Sequence, residues 1–545
     1  MFLFFNVVCY IRNSKYILFW LYLWQLKEYH IGRFLDHFRT HNGKKLIINP
    51  LFLVKIVLLI LFYLFASRFL AWYSLLSIIY FFESALFLRQ VLKKTYKSPI
   101  RTTKILFLTF ASFVIGIVYF SLVLIFSPFQ LFPFWFLFFD ILAPVFISFP
   151  VLLFQPLSVF ARNIILKKAK DKISKFKDLK VIAITGSYGK TTTKEFLTTI
   201  LSQKYKVLST KEHQNSEMGI AKCILNNLSQ EHEVFVVEMG SYKKGGIKLL
   251  CDITNPKIGI VAGVNEQHLS LFGSLDNLLS AEGGEELAEA LKPKGTLILN
   301  ADNKYCLRLY KKIIGEENQL NLKIYSLSGE KINSDMWAES VSVSKDSISF
   351  LTVDNLGNNR KEIAVFRANV LGKQNIQNLL AAILAAKEMN MDLDEISQAC
   401  LNIKQEQAGI ILKPGPHQID IIDSSYSANP DGVLADLDYL NIFLDSKKVI
   451  VMPCLIELGK ASADIHEKIG QKIGRVCDMA VITTKECFKN IEKGAMYSGM
   501  EKKNIIFCPN PNDIYSLITL FCKKGDVILL EGRVPLKLIN LLNNK

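Results

Sequence analysis

The residues in this chain best suited to chemistry form one short run, Thr185-Gly186-Ser187-Tyr188-Gly189-Lys190-Thr191-Thr192-Thr193. Glycines in such a run let backbone N–H groups approach an anion closely, and the N-terminus of a following helix adds positive potential. A lysine here reaches terminal phosphates, and a hydroxyl from Thr191 or Thr192 suits Mg²⁺. The chemistry expected is binding of ATP with Mg²⁺. The general G-x-x-x-x-G-K-[ST] pattern is incomplete, because Ile184 stands at its first glycine.

These residues need elements to hold them. Lys180–Thr185 is a β-branched run that reads as a buried parallel strand, and Lys194–Gln203 reads as a helix. A second β-rich run, Val234–Val237, leads into Glu238. A hard carboxylate there can hold Mg²⁺ at the C-terminal edge of a parallel sheet. A third run, Ile258–Val264, precedes His268. Read alone, a histidine there is an ordinary hydrogen-bonded surface residue. Strands and helices alternate from Val181 to Lys387, which predicts a mostly parallel sheet. Residues 320–370 alternate polar and β-branched types and predict an antiparallel excursion. A second α/β unit runs from about Gln405 to the end, with strands at Ile419–Ile422, Lys448–Pro453, Met479–Thr484, Asn504–Cys508 and Val527–Glu531. It carries no GxGxxG, so no dinucleotide is implied.

Several stretches resemble the Mur ligase family, in its branch that adds D-alanyl-D-alanine. The loop TGSYGKTTTKE is similar to the family's ATP loop. Asn215-Ser216-Glu217-Met218-Gly219, Glu238-Met239-Gly240, and His268-Leu269 with Phe272-Gly273-Ser274 resemble further family segments in order. So do Gly372 with Asn375 and Asn378, Asp423 with Tyr426, Asn429 and Pro430, and Glu457-Leu458-Gly459 with His466. The resemblance covers about Val181 to Val534. It implies a P-loop central domain (166–404) and a Rossmann-like C-terminal domain (405–545), with a hinge near Lys404–Gly409. It also implies an ATP-dependent ligase that joins a muramoyl-peptide carboxylate to D-alanyl-D-alanine or a similar small amine, through an acyl phosphate, in peptidoglycan precursor synthesis.

By the same resemblance, Lys190 neutralises the transferring phosphoryl group, and His268 is a ligand of a second Mg²⁺, beside the ion of Thr191 and Glu238. Asn375 reads the adenine edge, although an asparagine also favours a helix N-terminus for its own sake. Asp423, Tyr426 and Asn429 lie near the ribose and adenine. The sequence departs from the family where a lysine that becomes carbamylated should stand; Gly283 occupies that place. The neighbouring Glu282 either replaces the carbamate or is a solvated helix-face glutamate. Gln374 stands for the family's histidine. Gly415-Pro416 lacks an arginine, for which Arg533 is a candidate substitute. The family's small domain for the UDP-sugar has no counterpart.

In its place is an apolar first third (1–165), read as an α-helical membrane region. Four spans are expected, at Leu51–Ala66, Phe69–Leu88, Ile105–Phe126 and Leu131–Phe154, the first two forming a hairpin around Arg68. Met1–Leu26, interrupted by Arg12 and Lys15, is a fifth span or an interfacial helix. Of the chain's net charge of +16, much flanks these spans: Lys44 and Lys45, Lys93, Lys94, Lys97 and Arg101, then Lys167, Lys168, Lys170, Lys172 and Lys175. That places the expected soluble domains at the cytoplasmic face of a multi-pass membrane protein, beside anionic lipid. No aromatic–basic interleaving points to nucleic acid. The ten cysteines form no CxxC pair, which fits a reducing cytosol.

Other readings are a ligase of this fold with another acceptor, a lipid-linked one among the candidates, and a non-catalytic ATP-binding membrane scaffold. A transporter is disfavoured because the spans show no paired charges.

Overall fold

The computed structural model divides into two compact units, Met1–Asn163 and Ile164–Lys545. It describes all residues except 1, 28, 30, 39–42, 45, 47–48, 65–68, 94, 212–213, 292, 316–319, 329–332, 358–359, 427 and 544–545. Lys45, Ala66, Arg68 and Lys94 thus lie outside the described residues.

The first unit is helical. Among the described residues, three helical stretches are long and apolar enough to cross a membrane: Leu70–Leu92, Thr103–Phe126 and Phe129–Ile173. The expected span at Leu51–Ala66 forms the 15-residue helix Pro50–Leu64. At 1.5 Å per residue this is about 22 Å, short of a hydrocarbon core of about 30 Å. Its expected hairpin is not the main packing. Pro50–Leu64 packs chiefly on Phe132–Leu153, and Phe69–Leu92 packs on Phe2–Leu26. Phe62 and Trp72 still touch, with ring centroids 5.1 Å apart.

The expectation of no paired charges is corrected. Arg12, Lys55, Glu83 and Asp140 are all buried, one on each of four helices. Lys55 Nζ donates to Glu83 and to Asp140, each at 2.6 Å. Arg12 Nε lies 2.8 Å from the same Glu83 oxygen. The four are far apart in sequence, so their pairing exists only once the helices pack.

The second unit holds two sheets. The first comprises β1 (Lys180–Thr185), β2 (Val207–Ser209), β3 (Val234–Glu238), β4 (Ile258–Val261), β5 (Thr296–Asn300), β6 (Asn321–Ser326), β7 (Met336–Val343), β8 (Ile348–Gly357) and β9 (Arg360–Ala368). Their order is β2-β3-β1-β4-β5-β6-β7-β8-β9. Pairing is parallel through β6–β7 and antiparallel from β7 to β9. The antiparallel stretch is the excursion expected at 320–370.

Period-two alternation sets both faces of this sheet. Ile182 and Ile184 pack on helices Lys190–Leu201, Gln374–Glu388 and Leu393–Cys400. Val181 and Ala183 point the other way, into a core with helices Glu217–Asn227, Gly246–Thr254 and Glu285–Leu291. Burial on both faces explains why these strands read as continuous apolar runs.

The second sheet contains β10 (Ile411–Pro414), β11 (Asp420–Ser424), β12 (Lys448–Met452), β13 (Met479–Ile482), β14 (Ile505–Phe507) and β15 (Val527–Glu531). Its order is β10-β11-β15-β12-β13-β14, and only β10 is antiparallel. Helices cover both of its faces.

One relationship positions the site. The chain leaves β1 towards β2 and β3 on one side, then crosses to β4 on the other. Such a reversal opens a crevice at the strands' C-terminal edge. Register brings Ile184 beside Glu238 and Thr185 beside Val261, so the ends of β1, β3 and β4 share that edge.

Candidate active site

The loop Gly186–Gly189 leaves β1 at this edge and enters helix Lys190–Leu201, which begins four residues earlier than the sequence pattern predicts. Gly189 makes the turn in a left-handed conformation, φ 77°. A Cβ there would stand 2.7 Å from Asn378 Oδ1. Gly186, at φ 134°, lies against the Gly263 carbonyl, 2.8 Å from where its Cβ would be. Both positions therefore need glycine for conformation and for space. No side chain caps the helix, so its first N–H groups and its positive dipole end are available to an anion.

The loop is braced from behind. Ser187 N and Tyr188 N donate to the Gly263 carbonyl at 2.7 and 3.2 Å. Tyr188 turns inward, and its hydroxyl accepts from Asn303 Nδ2 at 3.2 Å. Burial pushes the Tyr188 hydroxyl's pKa upward. Tyr188 thus anchors the loop through its side chain. Lys190 Nζ donates to the carbonyls of Gly186 and Ser187. Thr185 ends β1 with its side chain fully buried.

Of the two candidate metal-binding threonines, the structure brings Thr191 to a carboxylate. Its hydroxyl donates to Glu238 Oε2 at 3.0 Å. The other Glu238 oxygen accepts from Asn215 Nδ2 at 2.9 Å. Lys194, fully buried, lies 3.7 Å from Glu238. Thr192 stands next on the helix, half-buried. A hydroxyl and a carboxylate oxygen this close form a hard-donor pair suited to Mg²⁺, which takes few protein ligands and completes its shell with water and phosphate. The residues present fit that ion.

His268 and Glu282 form the second cluster. Nδ1 of His268 lies 2.9 Å from Glu282 Oε1. Ser187 Oγ donates to Glu282 Oε2 at 2.8 Å, which ties the carboxylate to the phosphate loop. Glu282 is 1% exposed, which rules out a solvated helix-face glutamate. Burial pushes its carboxyl pKa up, but His268, Lys190 and Ser187 outweigh this and hold it below the usual range. Its neighbours face elsewhere. Glu286 accepts from the N–H groups of Gly245 and Lys248, and Glu285 pairs with Lys312. A Cβ on Gly283 would lie 2.3 Å from the Leu279 carbonyl oxygen. No lysine fits at 283 without moving backbone.

The residues expected around a nucleoside are placed less uniformly. Asn375 is buried, and its amide is used within the fold. Nδ2 donates to the Leu371 carbonyl at 2.7 Å, and Oδ1 accepts from Asn378 at 3.0 Å. It supports Asn378, which faces Gly189, and its own amide does not face outward. Asp423 accepts from Lys413 Nζ at 2.6 Å and from the Ser425 hydroxyl at 2.5 Å. Burial raises its pKa, but these partners bring it below the usual carboxylate range. Tyr426 is exposed. Asn429 caps helix Pro430–Leu440, accepting from Gly432 N at 3.0 Å.

Sequence reasoning missed Asn265, which joins the two sheets' domains. Its Nδ2 donates to Asp431 at 2.8 Å and to Asn429 at 3.3 Å, while its carbonyl accepts from Ser187 Oγ at 3.3 Å. A second bridge runs from Gln374 Nε2 to Asp436 at 2.9 Å. Asp436 also accepts from Ser424 Oγ at 2.5 Å and is hydrogen-bonded to the buried Glu531. Lys194 was also missed, although its i+4 spacing from Lys190 on one helix was a usable signal.

Comparison with known proteins accords with this geometry. Residues 184–386 match the family model for the Mur ligase middle domain. Residues 410–534 match that for the Mur ligase glutamate ligase domain. A UDP-N-acetylmuramoyl-tripeptide–D-alanyl-D-alanine ligase of Bacillus subtilis is 27% identical over 67% of this chain and 75% of its own. The Synechocystis enzyme of that name is 29% identical over 54% of this chain and 59% of its own. This chain therefore spans between three fifths and three quarters of those relatives. MurF from Acinetobacter baumannii shares the fold with a TM-score of 0.60 at 23% identity, over 70% of this chain and 80% of that one. MurF from Thermotoga maritima, solved with ADP, has a TM-score of 0.58 at 22% identity, over 70% and 83%.

Proposed function

Since the chain belongs to the Mur ligase family, whose members are ATP-dependent ligases that form amide bonds, we propose that it adds D-alanyl-D-alanine, or a similar small amine, to a muramoyl-peptide carboxylate. The observation that carries this reading is the convergence of Lys190, the Thr191–Glu238 pair and the His268–Glu282–Ser187 cluster at the ends of three adjacent strands.

In the reaction, an oxygen of the acceptor carboxylate attacks the γ-phosphorus of ATP. The bond to the bridging oxygen breaks, and ADP leaves with it. The amine nitrogen then attacks the acyl carbon. The acyl carbon–oxygen bond breaks, phosphate departs with that oxygen, and the nitrogen's extra proton passes to phosphate or water. This chemistry calls mainly for positioning and charge neutralisation. Lys190 and the helix N-terminus at Gly189 supply positive charge. Thr191 and Glu238 would hold Mg²⁺, which neutralises phosphate charge when bound. His268 and Glu282 form a second donor pair, tied to the loop through Ser187. Glu282 replaces, with an encoded carboxylate, the carbamate that the family makes on a lysine. Asp423, Tyr426 and Asn429 contribute the nucleoside side of the crevice from the C-terminal domain.

The three apolar helices support a multi-pass location in the cytoplasmic membrane with the catalytic domains inside. They also favour a second reading, in which the acceptor is lipid-linked. The experiment is ADP release by the full chain in membranes. It is offered D-alanyl-D-alanine with either a UDP-linked or a lipid-linked muramoyl-peptide. Release with neither acceptor, in a preparation that still binds ATP, would point instead to a scaffold.

A further inference from the structure

At the opposite edge of the first sheet, the strand starts gather lysines that are scattered in sequence. Lys180 opens β1, Lys206 precedes β2, Lys257 precedes β4 and Lys294 lies just before β5. Lys175 and Lys177 join them from the segment that follows helix Gln155–Ile173. An open cavity of about 650 Å³ lies there. Its wall includes Lys175, Lys177, Lys180, Lys257 and Lys294.

The charge on this face is net positive, five lysines against three carboxylates. The carboxylates are Asp178, Glu233 and Glu388. Two of them are engaged. Glu233 accepts from Lys206 N at 2.9 Å, and Glu388 accepts from Thr296 Oγ1 at 3.1 Å and Asn321 Nδ2 at 3.2 Å. The five lysine ammonium groups are exposed and have no ion-pair or hydrogen-bond partner among the described residues. Just upstream, Lys167, Lys168 and Lys170 are exposed on a helix whose other face, Leu166, Ala169 and Ile173, is packed into the domain core. The cavity is remote from the phosphate loop, since β1 alone spans six residues between them, about 20 Å of strand.

We propose that this lysine-lined face is a docking surface for anionic lipid headgroups. Charge complementarity identifies the partner. Clustered lysines, two of them in the segment that follows the apolar helices along the chain, are attracted to anionic lipid, and the attraction fades within a Debye length. The lysines converge from four separate strand connections on one open face. A cavity of this size admits phosphate groups with their first hydration shell. The site has no role in the ligase chemistry at the other edge, so it stands or falls separately from the proposed function.

The test uses the full chain in nanodiscs of phosphatidylcholine alone or mixed with phosphatidylglycerol. Lysine acetylation is read by mass spectrometry. Lys175, Lys177, Lys180, Lys257 and Lys294 are expected to react about fivefold more slowly in the anionic discs. Lys489, on the second sheet's helix Phe488–Tyr497, should react equally in both. About 1 M salt should abolish the difference. In a variant carrying all five Lys→Gln changes, Lys206 should lose its lipid-dependent protection. Equal modification in the two discs overturns the proposal, as does protection of Lys206 that persists in the variant. Protection that needs inorganic phosphate and appears equally in neutral discs also overturns it, making the cavity a site for a soluble anion.

Discussion

His268 and Glu282 meet with Nδ1 2.9 Å from Oε1, and the second oxygen of Glu282 is held by Ser187 of the phosphate loop. A buried carboxylate beside Gly283 is thereby held against both the phosphate loop and His268.

Glu282→Gln should lower ADP release by about 100-fold, the scale of losing one electrostatic group at a phosphoryl-transfer site. ATP binding, followed by fluorescent nucleotide titration, should change far less. Because the carboxylate is encoded, stripping bicarbonate and CO₂ from the assay should leave wild-type turnover unchanged. A bicarbonate requirement would show that Glu282 does not replace a carbamate.

Gly283→Ala places a methyl 2.3 Å from the Leu279 carbonyl oxygen. Overpacking against backbone costs about 1–3 kcal/mol, so the variant should melt several degrees lower. Gly283→Lys should not rescue Glu282→Gln, since the lysine cannot be seated.

Thr191→Val and Glu238→Gln should each raise the Mg²⁺ concentration for half-maximal ADP release by about tenfold or more. Thr192→Val should shift it much less, because Thr191 is the hydroxyl that reaches the carboxylate. Equal effects from both threonines would contradict that assignment.

The buried pair Asp436 and Glu531 sets a pH dependence. Burial raises the pKa of Asp436. Burial and the Asp436 charge push Glu531 well above the usual carboxylate range. A folded-state pKa above the unfolded one gives stability that is complete below the unfolded value, near pH 4, and lost as pH rises through the folded value. The contribution of this pair to the second unit's stability should therefore decline as pH rises above the unfolded carboxylate range. Glu531→Gln, which removes the titration at constant shape, should flatten that profile in thermal unfolding.

Lys55→Met leaves Glu83 and Asp140 with less compensation in a buried helical core. Breaking a buried pair costs about 3–5 kcal/mol. Unfolding in detergent should register that loss, and Lys55→Met with Asp140→Leu should recover part of it.

The sequence by itself determined the phosphate loop, the strands that carry it, the apolar first third and the alternation that makes both sheets. These are local properties. A buried parallel strand shows as a β-branched run, a tight phosphate turn shows as glycines, and a membrane-length helix shows as continuous apolar composition. Tertiary structure decided what depends on residues meeting across the fold. It selected Glu282 over Glu285 and Glu286, because only its helix position aims a carboxylate at Ser187 and His268. It turned Asn375 inward, where its amide donates to the Leu371 carbonyl. It revealed Asn265 and Gln374 as bridges between the domains. It also paired Arg12 and Lys55 with Glu83 and Asp140, and gathered lysines from four strand connections onto one face. Period and composition describe a residue's neighbours along the chain; which charges face one another is fixed only when the elements pack.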